Sequence, residues 1–310
     1  MRNILFFAAL GCFILSCNPD EVVNNQPTAA KTETSQDVKI INGVLQFSSK
    51  QHLLNVIQEI EKMENMETWY KGTGFRSLLQ RQNELKEADL DRVANSGDLG
   101  NLDEVLFFRD DNGELVLSKI VEDPRFAAVL SEKSFVIVED VVYHIGHKGV
   151  AYIPVANRKD VLDRFLENPS MEGASFEKTE AEYFRSARTS ATNDNTIIDP
   201  YNSKRRIVAE FVRHNSIVYI SLVVKVRYQK KNWIGWSGTN CYSMNFSANG
   251  VFMEAGVPFP FSGSRSGSNV EEISMFVSEV YNLSLDWVWA NGSGSFRGGS
   301  GDPSSTSFTF

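Results

Sequence analysis

Two carboxylates and two imidazoles fall within nine residues at Glu139, Asp140, His144 and His147, with Tyr143 among them. Imidazole nitrogens and carboxylate oxygens are zinc ligands, and the same groups serve as general acid and base in a hydrolase. The spacing works against a metal site. On an extended strand His144 shares a face with Asp140, whereas His147 lies past Gly146 in a turn, and no second group of ligands occurs elsewhere. The pattern therefore predicts no metal and no cofactor. Asp140, His144 and His147 are the residues a metal would recruit.

A second set is aromatic: Tyr228, Trp233, Trp236, Tyr242, Trp287 and Trp289. Sugars present flat apolar faces, so tryptophans facing solvent beside Asn and Arg suit a glycan. Trp233 and Trp236 flank Ile234-Gly235 in an expected loop, and with Tyr228 and Arg227 they form the candidate ligand-binding set. Trp287 and Trp289 are expected to share one strand face by parity, and one of the two tryptophan pairs belongs to a core. The basic runs Lys204-Arg205-Arg206 and Gln229-Lys230-Lys231 read as solvated strand ends, the other reading being an edge for lipopolysaccharide phosphates or acidic glycans. Cys241 has no base nearby and reads as a buried small hydrophobe. Gly263, Gly267, Gly292, Gly294, Gly298, Gly299 and Gly301 read as turn glycines, since none stands in the setting a phosphate loop requires.

The most specific chemistry lies at the start of the chain. Arg2 supplies a positive beginning, and Ile4 to Leu15 is an apolar run of about a dozen residues, shorter than the roughly 20 of a membrane span. Ile14-Leu15-Ser16-Cys17 resembles the lipobox of bacterial lipoproteins. The resemblance implies that Cys17 is acylated and becomes the first residue of the mature chain, which is then held to the membrane by lipid. Asp20 and Glu21 look like the acidic pair that some Bacteroidetes-type lipoproteins use for surface export. An outer-membrane or cell-surface location is the expectation. From Asn18 to Lys39 there is almost nothing to bury, and the stretch reads as a disordered tether.

At 310 residues with 42% apolar content, the chain has enough length and material for two cored domains. A formal charge of -8 argues against nucleic acid or an anionic membrane surface as partner. With Cys12 removed and Cys17 acylated, Cys241 has no disulfide partner, so buried apolar surface must supply stability. The expected organisation is a signal peptide over 1–17, a tether over 18–39, an α+β domain over 40–166, a linker region over 167–203 and an all-β domain over 204–310. In the first domain, Ser48 and Ser49 cap an amphipathic helix through Leu53, Ile57 and Ile60, and a second helical stretch, broken at Gly72 and Gly74, covers 67–94. Asp110-Asp111-Asn112-Gly113 predicts a hairpin, Pro124 opens a short helix, 135–145 and 150–155 form a further hairpin, and a helix covers 158–166. Residues 180–187 read as partly helical. Beyond 204, short strands over 207–211, 217–228, 233–236, 242–246, 251–254, 272–277, 283–289, 293–297 and 305–310 predict a β-sandwich. An eight-stranded membrane barrel fits less well, given lipid anchoring and the charges of 225–231.

The succession Phe47-Ser48-Ser49, Trp69-Tyr70, Gly74-Phe75-Arg76-Ser77-Leu78, Asp123-Pro124-Arg125-Phe126-Ala127 and Val142-Tyr143-His144-Ile145 is similar to a group of uncharacterised Bacteroidetes lipoproteins, across residues 44–153. These are packing and turn residues, so the resemblance implies kinship and no activity. The functional expectation is non-enzymatic: a lipid-anchored ectodomain whose C-terminal sandwich binds an extracellular glycan or protein. The alternatives are a hydrolase built on Glu139, Asp140, His144 or His147, and a structural subunit of an envelope assembly.

Overall fold

The computed structural model of the chain describes residues 37–63, 66, 69, 73–155, 158–179, 181–184, 196–281 and 283–310. Cys17, the tether through residue 36, Tyr70, Gly72 and residues 185–195 of the expected linker lie outside the described residues. In chain order the first elements are β1 (Lys39–Ile41), β2 (Val44–Phe47), α1 (Lys50–Glu61), α2 (Leu78–Asn83), α3 (Glu87–Ser96), β3 (Leu106–Asp111), β4 (Glu114–Lys119) and α4 (Pro124–Val129). Then come β5 (Phe135–Val138), β6 (Val141–Gly146), β7 (Gly149–Pro154), α5 (Lys159–Glu167), β8 (Ser175–Glu177), β9 (Glu182–Phe184) and β10 (Thr196–Asp199). The long strands follow: β11 (Asn202–Asn215), β12 (Ile220–Lys231), β13 (Gly235–Gly238), β14 (Cys241–Glu254), β15 (Val257–Val270), β16 (Glu272–Val280), β17 (Leu285–Arg297) and β18 (Thr306–Thr309). The described residues are mostly β, in three sheets.

The first sheet runs β1-β2-β5-β6-β7-β8, with β2 and β5 parallel. Both of its faces are covered, which is why β5 reads Phe-Val-Ile-Val without alternation and is buried throughout. One face packs Leu45, Phe47, Val136 and Val138 against Leu53, Ile57 and Ile60 of α1 and Phe126 of α4. The other packs Phe135, Ile137 and Val142 against Val161, Leu162 and Phe165 of α5. The helix starts are set locally. Ser49 accepts from the His52 amide at α1, Ser77 and Gln80 form a capping box at α2, and Asp123 accepts from the Arg125 amide ahead of Pro124 at α4. The helical stretch expected over 67–94 becomes two helices, α2 and the first part of α3, separated at Glu84–Lys86.

The second sheet is ordered β10-β11-β12-β13-β4-β3, with β16 also on β12 and β9 also on β11. It draws on both halves of the sequence. The hairpin β3–β4, expected inside a first domain, is joined to the later strands by parallel pairing of β4 with β13. Val218 and Tyr219, between β11 and β12, insert in turn into the core of the helices, Tyr219 stacking on Phe126 at 4.7 Å. Residues 182–184, expected as helix, form a strand because β11 offers a free edge there, pairing Val212 with Tyr183.

The third sheet is ordered β15-β14-β17-β18 and lies against the second. Ile207, Phe211, Val224 and Val226 meet Met244, Phe246, Phe296, Phe308 and Phe310 in a shared core. Several expected turns are strand interior here. Residues 242–246 and 251–254 belong to one 14-residue strand, β14, and β15 runs through a Ser-Gly-Pro stretch. A Cβ on Gly292 or Gly294 would run into the rings of Phe310 and Phe308, so these glycines, expected in turns, are seats for aromatic rings.

Candidate functional site

β12 is central to the second sheet and has two unlike faces. Val224, Val226 and Tyr228 point into the shared apolar core, while Lys225, Arg227 and Gln229 point the other way, toward the hairpin β3–β4 and the residues that follow it. Most of the charged face is buried. Lys225 is fully buried and pairs with Glu122, and it lies 3.3 Å from Glu272. Arg227 donates to Glu210 at 2.6 Å, Arg109 pairs with the same carboxylate, and Tyr183 donates to Glu122 at 3.0 Å. Burial works to raise the Glu122 carboxyl, but Lys225 and Arg227 outweigh it and hold the group down at about 2. Glu272 is likewise kept low against burial by Lys119 and Lys225.

A second ionic group surrounds Arg125. Its guanidinium pairs with Asp123 at 2.8 Å and Glu279 at 2.9 Å, donates to Tyr219 at 2.7 Å and lies over the Phe276 ring. Against the cost of burial, Arg125 keeps Asp123 well below the usual carboxylate range. These groups fasten the two halves of the chain. In the sequence Asp123-Pro124-Arg125 reads only as a helix start, because Tyr219 and Glu279 are remote in the chain.

Of the four residues expected to bind a ligand, Trp233 alone stands in solvent, at 89% exposure. It caps the turn between β12 and β13, its amide donating to Asn95. The expected exposed pair is corrected at Trp236, which is 3% exposed, donates to Glu114 at 2.8 Å and stacks under the Arg206 guanidinium at 4.0 Å. Tyr228 is fully buried and bonded to Asp199, and Arg227 lies within the ionic layer. The basic runs are solvated at Lys204 and Lys231, as expected, and corrected at the residues between. Arg206 and Gln229 are buried partners at 2.9 Å, and Lys230 pairs with Glu87 and Asp91.

The carboxylate and imidazole residues do not converge. Glu139 and Asp140 form the exposed turn between β5 and β6, and His147 lies in the turn at the far end of β6, about 24 Å along a strand from Asp140. His144, between them, packs on Phe135 at 4.7 Å and is pushed down to about 4 by burial. His147 stacks on Phe107. Among the described residues, no group of three His, Cys, Asp or Glu is placed to hold a metal ion. Cys241 is buried, with its thiol pushed up to about 11 by burial.

The open surface with distinctive chemistry is the outer face of the third sheet. Its register aligns Ser262, Asn249 and Asn291 across β15, β14 and β17. The next row is Ser264, Ser247, Ser293 and Thr309, and the one after it Ser266, Asn245, Ser295 and Ser307. In a chain where 23% of residues are charged, these rows carry no charge. Most of their side chains are exposed, and the hydrogen bond recorded among them is Asn245 to Ser295 at 2.9 Å. One end of the face is an apolar row of Pro260, Val251 and Trp289, the indole 42% exposed. The other end is Arg297, whose guanidinium lies over Tyr242. At ordinary strand spacings the face measures about 27 Å along β17 and about 14 Å across. Trp289 reaches it through a bulge in β17 opposite Val251 and Phe252, which breaks the expected parity and leaves Trp287 facing inward on Phe211 and Phe261.

No protein-family model matches the chain, and none of the curated proteins is similar to it. Among solved structures it is similar to a DUF4848 family protein from Bacteroides thetaiotaomicron, at 14% identity over 88% of this chain and 99% of that one. The TM-score is 0.28, too low to add to the account of the fold.

Proposed function

We propose that the chain is a lipid-anchored protein of the outer membrane or cell surface, held through Cys17, whose C-terminal β-sandwich binds an extracellular glycan on the outer face of its four-stranded sheet. The reading rests on one observation: three cross-strand rows of hydroxyls and amides without charge, ending on the exposed indole of Trp289. Hydroxyl and amide groups exchange hydrogen bonds with sugar hydroxyls, and an indole receives the apolar face of a sugar ring. A solvated surface without such a task usually mixes Lys, Arg, Glu and Asp. The absence of charge favours a neutral glycan over an acidic one.

Membrane fractions bearing the full chain are expected to capture fluorescent neutral polysaccharides. Trp289→Ala leaves the amount of anchored protein unchanged and weakens capture about tenfold or more. Cys17→Ala releases the protein from the membrane fraction. Capture that survives Trp289→Ala at full strength, or a neutral-glycan panel that yields none, defeats the reading.

A further inference from the structure

Beside α2 and the start of α3, the end of β4, the turn after β13 and the turn between β15 and β16 enclose a cleft of about 840 Å³. Its walls are apolar at Leu79, Leu85 and Val270 and polar at Lys86, Asn240 and Asn269. That size and mixture are those of a small-molecule site. Past Lys119, Glu271 and Glu272, a narrow inner chamber of about 40 Å³ is walled by Leu90, Leu106 and Leu117 and reaches Arg227 and Gln229. A chamber of that size holds about three waters, or a ligand group of two or three heavy atoms.

Two incompletely used hydrogen-bonding groups border this passage. The Arg227 side chain is 7% exposed and its terminal nitrogens serve Glu210 and Glu122, but its buried Nε–H has no acceptor among the described residues. A buried donor without an acceptor is costly and calls for an unseen partner. Glu271 is 34% exposed, and its ion pair with Lys119 is loose at 3.7 Å because Lys119 sits 2.7 Å from Glu272. Arg227 thus brings an unserved donor to the inner end of the passage, and Glu271 an acceptor to its neck. An anion entering it would meet Glu271 and Glu272, while a cation would meet Lys119 and Arg227. A hydroxyl both donates and accepts, and carries no charge.

We propose that this cleft binds an uncharged saccharide or polyol, one hydroxymethyl group entering the inner chamber to accept from the Arg227 Nε–H, and a neighbouring hydroxyl donating to Glu271 at the neck. The site shares no residue with the sheet face, so either reading can fail without the other.

The test follows the ¹⁵N–¹H resonance of the Arg227 Nε–H in the full chain, titrated with glucose, galactose and mannose, with glycine and spermidine as charged controls. At least one sugar is expected to shift that resonance and slow its exchange with water, and the charged controls are not. Glu271→Gln weakens the binding about tenfold, as the loss of one charge-assisted hydrogen bond would. Leu85→Trp, which fills the neck, abolishes it. Glu271 is partly exposed, so its substitution decides the question even where Leu85→Trp fails to fold. A resonance unmoved by all three sugars, moved as far by glycine or spermidine, or responding equally in Glu271→Gln overturns the proposal.

Discussion

Lys225 lies at zero exposure between Glu122 and Glu272, as an ion-pairing group enclosed in the fold. Such a group is tolerable only while its partners remain, because the attraction between the charges offsets the loss of water. Lys225→Met leaves two carboxylates facing an apolar side chain. It is expected to destabilise the chain by about 3–5 kcal/mol in urea unfolding, with much of the loss regained when Glu122→Gln is added. A single variant costing no more than an exposed lysine substitution would show that water reaches the layer. The same logic covers Arg125, whose contacts with Asp123, Glu279 and Tyr219 draw together three distant parts of the sequence.

At the scale of elements, β14, β15 and β17 are long strands built from poor strand formers. Ser, Gly, Asn and Pro have little preference for extended pairing, so these strands depend on what lies beneath them. Gly292 and Gly294 are paired with β14 on both sides of Ser293, and their missing side chains make room for Phe308 of β18 and for Phe310 just after it. Gly294→Ala places a methyl group against the Phe308 ring and the Asn245 carbonyl, and is expected to cost about 1–3 kcal/mol, read as a lowered urea midpoint. If Gly294→Ala melts like the native chain, the ring does not sit where the packing requires. This dependence also explains which elements are legible in the sequence. The hairpin at Asn112-Gly113 is visible because its positive φ angles of 57° and 83° are a local demand of a two-residue turn. The strand β15 is not, because the glycines that read as breaks are explained only by Met275 and Ile273 packed over Gly263 and Gly267.

For the molecule as a whole, the two halves behave as one unit through shared strands and shared charge, and acid should loosen both. His214 is fully enclosed, with no hydrogen-bond partner on either ring nitrogen among the described residues, and burial pushes it down to about 4 from 6.5. His144 is shifted the same way. A folded-state pKa below the unfolded one means that the unfolded chain binds the proton first as pH falls. Stability is therefore complete above pH 6.5 and declines from there toward pH 4, and the carboxylates held low, such as Glu122, add a further loss below 4.5. Urea midpoints measured from neutral pH downward should show this two-stage fall, and His214→Leu should flatten its upper stage. A flat profile to pH 4.5 would mean that these imidazoles gain protons without unfolding. The candidate site is less legible than the fold. Tryptophan and Asn in the C-terminal half suggest a glycan in the sequence, but it is a bulge that brings Trp289 to the proposed face, and the Ser rows appear only when three distant strands are set side by side.

The unlike faces of β12 also bear on how the chain finds its pairing. A shift of one residue against β11 would turn Lys225 and Arg227 into the aromatic core and present Val226 and Tyr228 to Glu122 and Glu210. In most sheets such a slip exchanges a buried face for a wet one; here it would exchange oil for ions within a largely buried layer, so the misaligned chain gains little relief from solvent. The alternation therefore works as a lock on alignment. Long strands of serine and glycine, which specify their own register weakly, can then assemble against a neighbour whose position is already fixed.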